Sequence, residues 1–320
     1  MKVLVTGGGG FIGSNLVRTL QRKGHSVAIL DNFESGYRGN LVGLAEVTVF
    51  EGDIRDSAIV RRAIKGADVV FHLAASVGNK RSIEHPLDDS QINVTGTLNV
   101  LEAARHSNVK KIIYSSSAGI FGELKTLPIR EDHPVEPDTP YGASKLGAEK
   151  LCLAYAKLYQ LEAVCLRYFN VFGVRQRYDA YGNVIPIFAF RMLRGEPITI
   201  YGDGEQTRDF INVEDVAEAN CRAAAAVGVS GAFNLGSSQR ISINRLVKMM
   251  EDVSGIKATV RYAAPRKGDV RDSLADISAA RRDLGFEPAV DLQEGLRMYM
   301  QWAKTEFGNT CDAVVCQKTL

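Results

Sequence analysis

The stretch "KVLVTGGGGFIG", residues 2–13, runs from a short β-rich segment through four consecutive glycines into a helical pattern. Gly8, Gly10 and Gly13 fit the spacing G-x-G-x-x-G, and Gly7, Gly10 and Gly13 fit G-x-x-G-x-x-G. Such glycines let the backbone approach a pyrophosphate and let the helix pack closely on the strand, while the helix N-terminus faces the negative charge. A bland glycine turn is the alternative. The predicted dinucleotide contacts are Gly7, Gly10, Phe11, Ile12 and Gly13.

Strands and helices alternate through the first two-thirds of the chain. Nearly continuous apolar runs predict buried parallel strands at residues 2–7, 26–30, 47–50, 68–73, 111–116 and 163–170. Apolar residues at helical spacing predict helices at residues 11–23, 57–65, 93–107 and 141–159. This alternation indicates βαβ units and an α/β fold, a Rossmann-type doubly wound parallel sheet.

The pattern loosens from about residue 175. Helical spacing recurs in "VIPIFAFRMLRG", "SINRLVKMMEDVSG" and "LQEGLRMYMQWAKTEFG", and "ITIYGDG" is typical of a short strand and turn. We therefore expect residues 1–174, with contributions from about 212–238, to form the cofactor domain, and residues 175–308 to form mainly a smaller mixed α/β substrate-binding lobe. Residues 309–320 show no periodicity and are predicted to be a loose C-terminal tail.

Composition limits the possible partners and the location. The formal net charge of +2 gives no polyelectrolyte signal, so neither nucleic acid nor a membrane surface is expected as a partner. No apolar run reaches the ~18–20 residues that cross a bilayer, and the opening strand leaves no room for a signal peptide. The 5 scattered cysteines favour a reduced cytoplasm, and none has the spacing of a zinc site, so no metal is predicted.

An acidic residue, Asp31, ends the predicted second strand, about twenty residues after the glycines. A carboxylate at this place accepts hydrogen bonds from the adenosine ribose hydroxyls and repels a 2′-phosphate, which favours NAD over NADP. A carboxylate that only caps its loop is the alternative for Asp31. Arg38, a few residues later, keeps NADP open.

Other cofactor contacts are expected where neighbouring strands end. Small residues after the fourth strand would let a flat cofactor lie against the sheet edge, and a side chain after the third strand could meet the adenine. His72, within the fourth strand, is interpreted as a core histidine. These further cofactor contacts are Asn32, Asp53, Ile54, Leu73, Ala74 and Ala75.

The stretch "YGASK", residues 141–145, carries the predicted catalytic pair. Tyr141 and Lys145 share one helix face, and Ser117 closes the fifth strand at the sheet edge where open α/β folds bind ligands. A free phenol has a pKa of about 10, and a nearby ammonium together with a positive nicotinamide ring is expected to lower it by ~2–3. The phenolate could then take a proton from a substrate hydroxyl. An ordinary surface pair on a helix is the alternative.

Four motifs in this order resemble one family. "TGGGGFIG", "SSSAGIFG", "YGASK" and "RYFNVFG" are similar to the extended short-chain dehydrogenase/reductases, specifically their nucleotide-sugar epimerases and dehydratases, from about residue 2 to residue 308. The resemblance implies that Tyr141 is the catalytic base, that Lys145 is its partner and also binds the nicotinamide ribose, and that Ser117 positions the substrate hydroxyl. It also implies cofactor contacts from Asn93 and Tyr168.

The two residues after Ser117 point to the reaction. The family's 4,6-dehydratases carry Asp and then Glu there, and its decarboxylases keep a Glu at the second place, but this chain has Ala118 and Gly119. Neither residue can exchange a side-chain proton. The resemblance therefore implies a 4-epimerase, which oxidises the C4 hydroxyl to a transient 4-ketose and returns the hydride to the other face. The NAD is regenerated in each turnover and is expected to be tightly bound.

The resemblance also implies contacts to a UDP-sugar. Asn170 and Arg208 match diphosphate-binding positions, and Tyr201 matches a residue that stacks on the pyrimidine; an arginine fork suits an oxyanion. Ser273 matches a position that is small when an N-acetyl group is admitted, so UDP-GlcNAc/UDP-GalNAc are expected beside UDP-Glc/UDP-Gal. The other expected contacts are Ser76 and Ser82 near the sugar, and Arg266, Asp269 and Arg271 at phosphate and ribose.

Alternatives in other classes remain open at this point. A nucleotide-sugar reductase that uses NAD(P)H, an enzyme for dTDP-sugars, or a non-catalytic NAD-binding scaffold would all keep the glycine turn. Asp31 counts against the NADPH enzyme, and the presence of Ser117, Tyr141 and Lys145 counts against the scaffold. The resemblance further implies a homodimer in which the helices at about 93–107 and 141–159 form a four-helix bundle.

Overall fold

The computed structural model describes residues 1–178, 183–265 and 270–316, with side chains up to Phe307. The strands are β1 (Lys2–Thr6), β2 (Ser26–Asp31), β3 (Thr48–Glu51), β4 (Val69–His72), β5 (Lys111–Ser117), β6 (Glu162–Tyr168), β7 (Asn170–Phe172), β8 (Ile198–Tyr201), β9 (Thr207–Arg208), β10 (Phe210–Asn212), β11 (Gly231–Leu235), β12 (Ile241–Ser242) and β13 (Val260–Ala263). The helices are α1 (Phe11–Arg22), α2 (Ser57–Ile64), α3 (Asn79–Glu84), α4 (Pro86–Ser90), α5 (Thr97–His106), α6 (Pro140–Leu158), α7 (Val184–Leu193), α8 (Val213–Ala225), α9 (Ile243–Ser254), α10 (Ser278–Leu284) and α11 (Leu292–Cys316).

A seven-stranded parallel sheet forms the centre of the fold. Its spatial order is β11-β6-β5-β4-β1-β2-β3, so the chain first builds outward from β1 in one direction and then, from β4, in the other. Thr6 of β1 pairs with Leu30 of β2 and with His72 of β4, which brings three strand ends together at the point of reversal. Ligands of open α/β sheets bind at such a point. The predicted doubly wound α/β fold is confirmed.

Helices cover both faces of this sheet. Successive side chains of a strand point to opposite faces, so apolar residues are present on both. In β1, Val3 and Val5 pack in one cluster with α1 and α8, whereas Leu4 packs in a second cluster with α2, α5 and α6. Both faces are apolar, as expected for parallel strands buried between two helical layers. The helix α6, which carries the predicted catalytic pair, thus lies on the second face, beside β5 and β6.

A third apolar cluster lies outside the central sheet. It joins α7, α9 and α11 with β8 and β10, and its largest fully buried members include Phe172 and Tyr299. Three two-stranded pairs, β10-β7, β12-β9 and β13-β8, flank this cluster. The domain boundaries at residues 174 and 308 stay predictions. Among the described helices, none has both the length and the apolar character that crossing a bilayer requires.

The structure corrects three expectations. The predicted buried strand at residues 47–50 is β3, an edge strand with Val49 40% exposed, because only β2 pairs with it. The helix expected from residue 93 is π-helical over Gln91–Gly96 and becomes α-helical only from Thr97. The tail expected from residue 309 continues α11 as far as Cys316, since each residue added to an existing helix gains a backbone hydrogen bond. Residues 317–320 lie outside the described part.

Candidate active site

The glycine turn closes tightly over the end of β1. Gly7 has a φ of +70°, and a Cβ atom there would lie 2.7 Å from the backbone nitrogen of Ala74. A Cβ on Gly13 would lie 2.1 Å from the carbonyl oxygen of Gly7, so α1 begins in direct contact with the turn. No side chain caps the N-terminus of α1, which leaves its first N–H groups to an anion. We call this turn, with the uncapped start of α1, the cradle: Gly7 and Gly13 leave no room for a Cβ atom, and the free N–H groups fit the pyrophosphate of a dinucleotide.

Asp31 lies beside this turn, at the end of β2. Its carboxylate accepts hydrogen bonds from the backbone N–H of Gly9 and of Phe33, each at 2.8 Å. Burial raises the pKa of Asp31, and the two backbone hydrogen bonds act in the opposite direction. The carboxylate therefore caps its loop, as in the alternative considered above, and its contact with the ribose stays a prediction. Arg38 is paired with Glu51 and lies over the Phe33 ring.

The polar residues after β2 and β3 form one small cluster. Asn32 donates to Asp53 at 3.0 Å, and Arg55 binds Asp53 at 2.8 Å, which lowers the pKa of that carboxyl. The side chain of Ile54 is buried against Gly96, where an added Cβ would approach it to 2.5 Å. Ile54 can thus offer a cofactor its backbone but not its side chain. The adenine contact of this cluster stays a prediction.

The end of β4 faces the glycine turn. Leu73, Ala74 and Ala75 are half-buried there, and Ala74 donates its N–H to the hydroxyl of Thr6. His72 is 1% exposed, and its two ring nitrogens lie 2.7 and 2.9 Å from the hydroxyls of Thr6 and Thr97. Burial lowers the pKa of His72 to about 3. The interpretation of His72 as a satisfied core histidine is confirmed.

The catalytic candidates meet where β5 ends and α6 begins. Thr139 caps α6 by accepting from the N–H of Gly142 at 3.2 Å. A Cβ on Gly142 would lie 2.4 Å from the carbonyl oxygen of Gly119, so the start of α6 is pressed against the turn that follows Ser117. A Cβ on Gly119 would lie 3.3 Å from the Ser117 Oγ and 3.6 Å from the Tyr141 ring. The structure thus brings Ser117 and Tyr141 together, as the motifs indicated.

The pKa of Tyr141 is raised in the chain without its cofactor. Burial raises that pKa, Asp89 adds to the rise, and a hydrogen bond with Ser117 opposes it. Lys145 is 3% exposed, and burial lowers the pKa of its ammonium to about 8. In the chain without its cofactor, desolvation outweighs the hydrogen bond with Ser117, and the lowering expected from Lys145 together with the nicotinamide ring stays a prediction. The positive charge of the nicotinamide ring would have to lower the pKa of Tyr141 enough for the phenol to act as a base.

Asn93 is held by hydrogen bonds inside the protein. Its buried amide accepts from the N–H of Ser76 at 2.9 Å and donates to the Ser76 carbonyl, to Asp89 and to the Ser144 hydroxyl. Ser144 in turn donates to Asp89 at 2.5 Å. Asn93 thus ties the loop after β4 to α6, and its contact with the cofactor stays a prediction. The motifs missed Asp89 and Ser144, although Asp89 precedes Asn93 by one helical turn.

Two more predicted residues are engaged inside the protein. Tyr168 is buried at the end of β6, and its hydroxyl exchanges hydrogen bonds with Asn220; burial raises its pKa to about 12. Ser82 is fully buried, and its hydroxyl donates to the carbonyl of Asn79 at 2.8 Å. α3 folds the Ser82 side chain inward, and its contact with the sugar stays a prediction. Ser76 is buried with its backbone held by Asn93.

A cavity of about 540 Å³ lies in the second lobe. Arg271 lines it and makes two hydrogen bonds to Asp203, at 2.8 and 3.1 Å. The predicted Tyr201 and Arg271 thus share one cavity, as a nucleotide site requires. Its lining residues are Tyr201, Gly202, Asp203, Gln206, Ala263, Pro265, Val270 and Arg271.

The diphosphate and sugar candidates lie on neighbouring segments. The side-chain amide of Asn170 donates to the carbonyl of Asp209 at 2.9 Å, which fixes it beside β10. Arg208 donates to the carbonyl of Thr207 at 2.9 Å, and Ser273 is buried. Arg266 and Asp269 lie outside the described residues. Within the described part, no group of three His, Cys, Asp or Glu side chains could hold a metal ion.

Comparison with known proteins places this site in a family. The NAD dependent epimerase/dehydratase family matches residues 3–236. A UDP-glucose 4-epimerase of Mycolicibacterium smegmatis is 36% identical over 311 residues, which are 96% of this chain and 99% of that protein. The chain belongs to the NAD-dependent epimerase/dehydratase family of the short-chain dehydrogenase/reductases.

Solved structures agree with this assignment. A UDP-N-acetylglucosamine 4-epimerase from Methanobrevibacter ruminantium, in complex with UDP-N-acetylmuramic acid, superposes with a TM-score of 0.91 at 38% identity, covering 95% of this chain and 98% of that one. A UDP-glucose 4-epimerase from Thermus thermophilus in complex with NAD has a TM-score of 0.86 at 38% identity, covering 95% and 99%. NAD as cofactor and the predicted enzyme class, an NAD-dependent nucleotide-sugar 4-epimerase, are confirmed.

Proposed function

We propose that this enzyme interconverts the C4 epimers of a UDP-sugar with Tyr141 as the base. The observation that carries the proposal is the contact between the end of β5 and the start of α6, which brings the Ser117 hydroxyl and the Tyr141 ring close to each other beside Gly119. Ala118 and Gly119 supply no acid for elimination or decarboxylation. Proton transfer at a single hydroxyl is the chemistry that this set of side chains supports.

Each residue of the set has a separate task. NAD, held at the glycine turn, would supply the hydride chemistry at C4, which is removal from one face of the sugar and return to the other face. The Ser117 hydroxyl holds the C4 oxygen, and Tyr141 takes its proton and later gives it back. Lys145 keeps a positive charge beside the phenol, and the cradle of Gly7, Gly10 and Gly13 retains the cofactor between turnovers.

Residues of the second lobe determine which sugar and which nucleotide base the enzyme accepts in its substrate. Tyr201 and Arg271 line the cavity in which we place the uridine. Ser273 is small, which supports access for an N-acetyl group as well as for a plain hydroxyl. The named relatives include a UDP-glucose 4-epimerase and a UDP-N-acetylglucosamine 4-epimerase. We therefore propose activity on both UDP-Glc/UDP-Gal and UDP-GlcNAc/UDP-GalNAc.

The test follows the sugars by proton NMR. Purified protein without added cofactor is incubated separately with UDP-GlcNAc, UDP-glucose and dTDP-glucose. Formation of the C4 epimer supports an epimerase with resident NAD, and the relative rates rank the sugars. Consumption of added NADPH without any epimer would instead establish a reductase and overturn the proposal.

We also propose a homodimer through α5 and α6 and a location in the reduced cytoplasm. Leu158, near the end of α6, is an exposed large apolar residue, and Leu151 is half-buried two turns earlier, as an interface between helices would require. The described cysteines Cys152, Cys165 and Cys221 are free thiols. Light scattering should give twice the chain mass for the wild type and a monomer for Leu158→Glu. A monomeric wild type would rule out the dimer.

A further inference from the structure

The buried ammonium of Lys145 has an unusual environment. Lys145 is 3% exposed, yet within the described residues no carboxylate lies within ion-pair distance of its Nζ and no hydrogen bond to it is found. A buried lysine without a partner tends to lose its charge. Lys145 can serve a phenolate only while it is charged, and a protein group close to its Nζ would stabilise that charge in addition to the nicotinamide ribose that is expected to bind it.

The aromatic ring of Tyr114 lies directly against this ammonium. The Nζ of Lys145 is 4.5 Å from the centre of the Tyr114 ring, within the range of a cation–π interaction. Tyr114 is 1% exposed and lies on β5, three residues before Ser117. The ring of His72 is 5.7 Å away and supports it from the neighbouring strand β4.

The hydroxyl of Tyr114 does not explain its presence. It is buried, and no hydrogen-bond partner is found for it among the described residues. A buried hydroxyl without a partner costs about 1–3 kcal/mol, so a phenylalanine would fill the same space at lower cost. The interaction that remains to account for an aromatic residue at this position is the contact of the ring face with the Lys145 ammonium.

We infer that Tyr114 is a positioning residue, whose ring face holds the Lys145 ammonium in place and keeps it charged beside Tyr141. This inference rests on the proposed function, in which Lys145 assists the base. It assigns to β5 two tasks at once: Ser117 at its end holds the substrate hydroxyl, and Tyr114 in its interior holds the cation. Because Ser117 follows Tyr114 by three residues on one strand, the backbone of β5 sets the distance between them.

Other titratable groups also face the Lys145 ammonium and affect its charge. Asp89 and Glu149 favour the charged form of Lys145, and the thiols of Cys152 and Cys165 act in the same direction if ionised. Lys145 in turn disfavours protonation of His72. The facing groups are Asp89 on α4, Glu149 and Cys152 on α6, Cys165 on β6, and His72 on β4. Variants at Tyr114 leave all of them in place.

Three variants separate the ring face from packing. Tyr114→Phe keeps the face and removes the unpaired hydroxyl, whereas Tyr114→Leu removes the face. Phe71→Leu is the matched core control, because Phe71 is fully buried on the opposite side of the same sheet. Rates of epimerisation are measured from pH 5 to pH 10, together with the thermal midpoint and the NAD that copurifies with each protomer.

The expected pattern has three parts. Tyr114→Leu lowers kcat about tenfold to thirtyfold with little change in KM, and its loss of activity at alkaline pH begins at lower pH, because the ammonium gives up its proton more easily. Tyr114→Phe matches the wild type in both respects. Phe71→Leu lowers the thermal midpoint but leaves the pH profile unchanged, as expected of a defect in packing alone.

Two results would overturn the inference. One is an unchanged alkaline limb in Tyr114→Leu, with a kcat equal to that of Phe71→Leu. The other concerns a wild type that turns over no sugar. The proposed function then fails, and the NAD that copurifies with each variant tests the inference instead. Retention that falls only in Tyr114→Leu supports the positioning role, and equal retention in all variants contradicts it.

Discussion

Glu149 and Arg167 form a fully buried ion pair that anchors the catalytic helix. The two side chains share two hydrogen bonds, at 2.7 and 3.0 Å, and Glu149 also accepts from the hydroxyl of Ser116 at 2.7 Å. Glu149 lies one turn after Lys145 on α6, and Ser116 directly precedes Ser117 on β5. One carboxylate thus joins α6 to both strands beneath it, and it fixes the distance between the base and the residue that holds the substrate.

Removal of the charge on Glu149 should destabilise the whole fold. Glu149→Gln leaves the Arg167 guanidinium buried without a counter-charge, which costs about 3–5 kcal/mol in the free energy of unfolding. Urea titration measures this loss. The control Glu102→Gln breaks the exposed pair with Arg105 and should change little. A loss no larger than that of the control would show that the pair does not anchor α6.

Tyr141→Phe should abolish turnover while it preserves structure. The substitution removes only the hydroxyl that exchanges the proton, so kcat should fall by at least 10²–10⁴-fold while the thermal midpoint and the copurified NAD stay at wild-type values. Tyr155→Phe, on the same helix, removes a hydroxyl that donates to Glu102 and should remain active. Substantial turnover by Tyr141→Phe would move the base to another residue.

Gly13→Ala should weaken both the turn and its hold on NAD. The added methyl would lie 2.1 Å from the carbonyl oxygen of Gly7, so α1 has to shift away from the strand. We expect a loss of about 1–3 kcal/mol in stability and protein that purifies without NAD. Gly39→Ala is the control, because the nearest atom to its added methyl is 3.9 Å away. Full NAD content in Gly13→Ala would contradict the predicted cradle.

His72 should make the protein sensitive to acid. Its pKa is lowered from 6.5 to about 3 in the folded chain, so between these values the unfolded chain binds a proton that the folded chain does not. Stability is therefore complete above about pH 6.5 and falls by up to about 1.4 kcal/mol per pH unit as the pH drops toward 3.

Urea midpoints measured between pH 7 and pH 4 check this dependence. His72→Gln should show a shallower slope than the wild type, whereas His106→Gln, at an exposed position, should keep the wild-type slope. Equal slopes in all three proteins would mean that His72 is not protonated on unfolding in this range.

Local patterns sufficed for the framework of the fold and for the type of site. The glycine turn, the alternation of strands and helices and the spacing of Tyr141 and Lys145 involve residues close in sequence, and each is present as predicted. The hydrogen bonds of Asn93 could not be predicted, because its partners Ser76 and Ser144 come from two distant segments. The burial of Ser82, whose hydroxyl α3 turns inward, is likewise revealed by no spacing.

The sequence by itself determined an α/β fold with a dinucleotide turn and a Tyr–Lys pair, since these features arise from steric and periodic properties of short stretches. Only the tertiary structure decided what surrounds that pair. The ring of Tyr114 below Lys145, the tie between Ser116, Glu149 and Arg167, and the rise in the pKa of Tyr141 all depend on α6 packing on β5 and β6. These contacts and this pKa depend on burial and on residues from distant segments. They therefore arise only when the helices pack on the sheet in the folded protein.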